Sequence, residues 1–141
     1  MREIRFRAWD KTKGIMRHGN DNLMIDLSGN LIWQFGYNGG EMLPEEERKN
    51  YILMQYSGLR DINKKEIYDG DIIKHKDDMN RETISEVKFS QGRFIVGDGC
   101  DETCVWEFTN QHWNRKHNYA KIIGNIHKNP KLLTNQPKGD D

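Results

Sequence analysis

The chain has 141 residues, is 35% hydrophobic and 31% charged, and balances 22 basic against 22 acidic side chains for a formal net charge of zero. That length suits one ordinary domain, long enough to bury a core without metal or disulfide staples. Neutrality argues against a general nucleic-acid coat protein, four Trp, five Tyr and five Phe argue against disorder, and no apolar run approaches the ~18 residues needed to span a bilayer.

Residues 2–9 alternate, with Ile4, Phe6 and Ala8 on one parity and charges mostly on the other, which predicts a half-buried strand. Asp10-Lys11-Thr12-Lys13-Gly14 is turn chemistry, after which Ile15-Met16 begins a partner strand. Turns at 19–22 and 28–30 frame strands over Leu23–Leu27 and Leu31–Tyr37, and Gly39-Gly40 reads as a break. Pro44 followed by Glu45, Glu46 and Glu47 predicts a single helical turn, with acids at the positive end of the dipole. Tyr51–Tyr56 is strand-like, Asp61–Lys64 is a turn, and Gly70 permits a bend before a strand over 72–76. Thr83–Phe89 and Arg93–Val96 flank the tight turn Ser90-Gln91-Gly92. A Gly- and Asp-rich link over 97–101 leads to Val105–Phe108, and a last strand over Ala120–Ile126 is stopped by Asn129-Pro130. Many short strands with a turn every 8–12 residues predict an all-β barrel or sandwich.

Three blocks of residues carry a resemblance. The chain opens REIRFRAWD, continues LMQYSGLRDINKKEIYDGDII from residue 53, and closes IIGNIHKNPKLL from residue 122. In this order they resemble the YopX-like proteins, small proteins of bacteriophages and prophages, whose central pattern runs Q-Y-T-G-L-x-D-x-N-G-x-E-I-Y-x-G-D-I-V. The resemblance covers about residues 1–133 and implies an SH3-like small β-barrel or roll over 54–133, with an additional N-terminal β portion over 1–53; beyond it, 134–141 reads as a flexible tail. It brings no established reaction, cofactor or catalytic residue. Lys64 stands where the family has Gly, which moves the expected left-handed residue to Asn63. His127 replaces a Tyr, and Lys128 and Lys131 stand where acids are common.

Four side chains have the donor chemistry of a zinc site: Cys100, Cys104, His112 and His117 lie within 18 residues. The spacing is wrong for a usual finger, and buried or idle thiols are the favoured reading. Glu66, Asp69 and Asp71 offer paired carboxylates, but Asp71 is expected to hold the turn after Gly70 rather than to move protons. Residues 108–139 carry no acid and interleave Trp113 and Tyr119 with Arg115, Lys116, Lys121 and Lys128, the chemistry of single-strand binding. Arg2, Arg5 and Arg7 would join that face if the first and last strands paired. No phosphate-binding loop or nucleophile elbow is present, so no enzyme is expected.

The expected function is therefore binding, by a phage or prophage accessory protein that docks on a host or phage protein and self-associates. Nucleic-acid binding through the basic 108–139 span is the alternative. The candidate surface is Arg5, Arg7, Trp33, Trp106, Trp113, Arg115 and Lys116. Gly58, Gly70, Asp71 and Gly124 are the expected structural residues. Without an export signal or a membrane span, and with two cysteines, the expected compartment is the host cytoplasm.

Overall fold

The computed structural model describes residues 3–19, 23–36, 39–76, 81–96, 103–104 and 120–134, with the backbone alone for 31–36, 39–41 and 103–104. It is mainly β with little helix, and one of its antiparallel sheets curls into a half-barrel. The chain divides into two units, Met1–Gln55 and Tyr56–Asp141. No helix among the described residues is long and apolar enough to cross a membrane.

In the first unit, β1 (Phe6–Asp10) lies between β2 (Ile15–Arg17) and β6 (Tyr51–Arg60). The predicted first strand starts later than its alternation suggests, and Ile4 stands outside it, 68% exposed. Nor is β1 half-buried, because Ala8, Trp9 and Asp10 are all buried. Covering both faces leaves the period-two pattern a poor guide to this strand. The β1–β2 turn is held by Asp10, whose Oδ1 accepts from the Thr12 N–H, the Lys13 N–H and the Thr12 hydroxyl.

A second sheet in this unit orders β3 (Leu23–Ile25), β4 (Leu31–Gly36) and β5 (Gly39–Met42). The expected break at Gly39-Gly40 is instead the start of β5, where Gly39 pairs with Gly36 and Gly40 with Phe35. The turn before β4 is again tied by an aspartate, Asp26, which accepts from the Ser28 and Asn30 N–H groups at 2.8 Å. The helical turn α1 (Glu45–Arg48) follows Pro44 as the acids predict.

The second unit holds the later half of β6, β7 (Glu66–Tyr68), β8 (Asp71–Lys76), β9 (Glu82–Ser90), β10 (Arg93–Val96), β11 (Thr103–Cys104), β12 (Lys121–Asn125) and a closing turn, α2 (Lys131–Thr134). Its sheet runs β11-β10-β9-β8-β12. Strand β6 extends to Arg60, beyond the predicted end at Tyr56, by absorbing Gly58 (φ +85°) in a register shift against β7. The core is Ile67, Ile73, Val87, Phe94, Val96 and Ala120, with Leu59 and Ile122 packed against it. Each large aliphatic or aromatic side chain buried there contributes roughly 1.5–3 kcal/mol relative to exposure.

Three turns carry this unit. Gly70 (φ +80°) donates its N–H to Val87 O and accepts from Ile126 N, both within 2.9 Å, so it links β9 and the end of β12. Beside it the buried Asp71 accepts from the Tyr68 N–H at 2.9 Å. Gly124 sits in a bulge of β12, where a β-carbon would stand 2.6 Å from Asn129 Oδ1. The third turn corrects an expectation, since Lys64 (φ +63°), not Asn63, takes the left-handed conformation. The Asp61 carboxylate holds the N–H groups of Asn63 and Lys65, and this clamp decides which residue turns left-handed. A side chain in that conformation is strained by about 1 kcal/mol. Lys64→Gly is therefore expected to stabilise the protein by about 0.5–1 kcal/mol, read as a higher urea midpoint. A lower midpoint would show that the Lys64 side chain contributes more than its backbone costs.

Candidate functional site

The first unit contains a pocket of about 180 Å³. Its floor follows from strand register. On β1, Ala8 pairs with Arg17 of β2 on one side and with Leu53 of β6 on the other. Three residues in cross-strand register share a face of the sheet, and Phe6, two residues before Ala8, joins them. The small Ala8, 1% exposed, lies between two long neighbours at the base of the pocket. Strand β3 supplies the opposite wall, since Leu23 and Ile25 are half-buried and line the pocket while Met24 between them is exposed. Arg7, His18 and Gly19 complete the lining, so no carboxylate among the described residues is part of it.

Electrostatically the pocket is basic at one side. Arg17 Nη2 donates to Asp10 Oδ2 at a long 3.4 Å, with the arginine side chain 20% exposed and the aspartate fully buried. Burial pushes the Asp10 pKa up, but the hydrogen bonds from Thr12, Lys13 and Arg17 outweigh it and hold the carboxyl below its ordinary 3.8. Tyr51, paired with Asp10 across β1 and β6, has its phenol pKa raised by burial first and by the Asp10 carboxylate second. Arg17 therefore keeps a charged partner in the acidic range, while a guanidinium has five N–H donors to offer.

A second depression in the same unit, about 370 Å³, mixes Glu45 with Arg48 and Lys49 beside Tyr51 and Asn30. Its charges oppose one another, and Arg48 Nε already donates to the Leu43 carbonyl at 2.9 Å. It has the character of a solvated groove.

Two of the carboxylates that invite a catalytic reading, Glu66 and Asp71, are engaged in structure, as is Asp61. Glu66 accepts from Arg60 and from the Tyr68 hydroxyl. Asp61 accepts from Asn63 and Lys65, and its Oδ2 reaches the Ile122 N–H at 3.0 Å. A Ser–His contact that sequence reasoning missed, His75 Nε2 to Ser85 Oγ at 2.9 Å, has the spacing of an activated nucleophile. Both side chains are buried, at 5% and 8% exposure, and neither lines either pocket of the first unit.

The sequence-derived surface is brought together only in part. Arg5 is exposed beside Glu3, with which it pairs; Arg7 lines the pocket; and Trp33 lies in β4 between Met24 and Met42. Trp106, Trp113, Arg115 and Lys116 fall outside the described residues, as do Cys100, His112 and His117, while Cys104 pairs with Ile95 in β11. Among the described residues no group of His, Cys, Asp or Glu is placed to hold a metal ion. The first and last strands do not pair. Both sides of β1 are taken by β2 and β6, and β12 lies beside β8.

The residues sequence reasoning overlooked are Ala8, Arg17, Leu23, Ile25 and Leu53. A signal for two of them was present, because a four-residue turn after Asp10 puts Arg17 opposite Ala8. The wall from β3 had none.

The family model of the YopX protein matches residues 5–134. The chain belongs to the YopX family. Its structure is similar to the crystal structure of YopX from Bacillus subtilis, with a TM-score of 0.64 and 27% identity over 94% of this chain and 99% of that one. It is equally similar to protein EF1440 from Enterococcus faecalis, with a TM-score of 0.63, 27% identity and the same coverage. No curated protein matches the chain. The function of this YopX family protein is unknown.

Proposed function

We propose that this YopX family chain is a phage or prophage accessory protein that works by binding a protein of the host or the phage in the cytoplasm. The observation that carries the reading is the pocket over Ala8, apolar in its floor and wall and basic at Arg17. Concave apolar surface with a few placed polar groups is the usual form of a recognition site. The alternative of chemistry on a bound substrate has less support, because the buried carboxylates Asp10, Asp61 and Asp71 all accept from turn N–H groups. Self-association belongs to the same reading, since β2 and β12 are outer strands of their sheets among the described residues. An unpaired strand edge is a template for another strand.

A tagged pull-down from host-cell lysate, split into nuclease-treated and untreated halves and read by mass spectrometry, tests it. One protein recovered near-stoichiometrically in both halves is the expected result. Recovery that disappears with nuclease would overturn the reading in favour of nucleic acid, and recovery of nothing beyond the bait would overturn it outright.

A further inference from the structure

We infer that the pocket over Ala8 receives a single bulky apolar side chain from an extended partner segment, with a flanking carboxylate of that segment bound by Arg17. The inference rests on the protein-binding reading above and names the chemistry of the partner.

Size comes first. An apolar cavity of roughly 150 Å³ accepts one benzene ring, whereas sites for cofactors and drug-sized ligands run to about 300–1,000 Å³. At about 180 Å³ the pocket is of a size for one bulky apolar side chain, such as Phe, Leu or Met. Charge comes second. Arg17, on the face of the sheet that the pocket covers, lines it and no acid among the described residues does, so the complementary group on the occupant is an anion. Arg17 is the cation best placed to take it. Its bond to Asp10 is long and uses one Nη, and a guanidinium fork matches a carboxylate in two-point geometry.

Strand position comes third and favours a peptide over a free small acid. Arg17 lies on β2, the outer strand of its sheet among the described residues. Ile15, two residues earlier on the same face, is 42% exposed. A segment running along β2 would cover Ile15, pair with the strand edge, and drop one side chain over Ala8. Main-chain bonds would then supply affinity and the pocket specificity.

The test uses the full chain and the blocked peptide Glu-Thr-Phe-Thr-Glu, whose acids share the Phe face when it is extended, followed by methyl NMR of Leu23, Ile25 and Leu53. Saturable shifts confined to those methyls are expected. Replacing both peptide acids by glutamine, or the protein's Arg17 by glutamine, should each weaken binding by about tenfold, the scale of one charge-assisted contact. Replacing the peptide Phe by alanine should abolish it. Ala8→Leu fills the space from the floor and Leu23→Trp from the wall; either folded variant should lose the peptide. Free 3-phenylpropionate is the second arm. If it binds and the peptide does not, the site takes a small acid and the inference is wrong. Shifts that ignore the acids or the Phe, or no shifts at all, overturn it equally. A partner from the pull-down that binds Ala8→Leu as well as the unaltered chain would end this inference yet leave the protein-binding function standing. The absence of any captured partner would end the function itself.

Discussion

Asp61→Ala is expected to destabilise the second unit by about 3 kcal/mol. The carboxylate is 6% exposed and receives three backbone N–H groups, from Asn63, Lys65 and Ile122, at 2.8 to 3.0 Å. A hydrogen bond to a charged group contributes roughly 1.5–3 kcal/mol, and a partly buried donor left without an acceptor costs about 1–3 kcal/mol. The sum of the three would exceed the effect expected, because water reaches the exposed side of the loop and replaces part of what is lost. What water replaces least well is the bond to Ile122, which docks β12 against the loop 61 residues away in sequence. Urea unfolding monitored by fluorescence checks the magnitude, and hydrogen exchange at the Ile122 amide checks the cause. Asp61→Asn separates the two contributions. Its carbonyl oxygen retains the loop N–H groups while its amide faces the Ile122 N–H, donor to donor, so exchange at Ile122 should accelerate with smaller loss in the loop. Stability within about 0.5 kcal/mol of the unaltered chain for Asp61→Ala, the range of an ordinary surface change, would sink the clamp.

The second large effect is at Asp10 and depends on pH. Its folded pKa lies below the ordinary 3.8. The folded state therefore binds the proton less well than the unfolded chain does. Stability from this group is fully present above the unfolded value, about pH 4, and is lost as pH falls through the folded pKa. Asp26 carries the same sign, its pKa lowered first by the Asn30 side chain and then by the Asn30 N–H. At neutral pH Asp10→Ala should cost about 2–3 kcal/mol, from the Thr12 and Lys13 bonds it releases in a buried turn. Asp10→Asn should cost less, because the amide oxygen still accepts from the turn, but it removes the titrating group. Its stability should therefore fall less steeply than that of the unaltered chain as pH drops below about 4. Parallel curves for the two proteins would show that acid unfolding has another source.

A protein with one aspartate at each of several turns has a plain logic. Short strands leave many orphan N–H groups where they reverse, and a carboxylate placed two residues before them satisfies a pair at once. Asp10, Asp26 and Asp61 do this in turn. Asn125 does it with His127 and Lys128. Acids that look like chemistry in the linear chain are here the pins of the scaffold.

That pattern explains what was legible. Turn residues act on neighbours a few positions away, so the sequence by itself determined the mainly-β class, the turns at Asp10–Gly14 and Ser90–Gly92, strand β10, and the single helical turn after Pro44. Family membership was legible for the same reason, in three local blocks. Non-local contacts decided the rest. Lys64 rather than Asn63 turned left-handed because Asp61 holds the loop between two N–H groups. Gly58 was absorbed into a strand because β7 could accept the register shift. The pocket over Ala8 needed β1, β2 and β6 in register and β3 folded against them. Local propensity is a property of a few neighbouring residues, and the turn after Asp10 sets Arg17 opposite Ala8, whereas a cavity is the space left between elements that meet only after the chain has closed; only the tertiary structure could bring β3 over them.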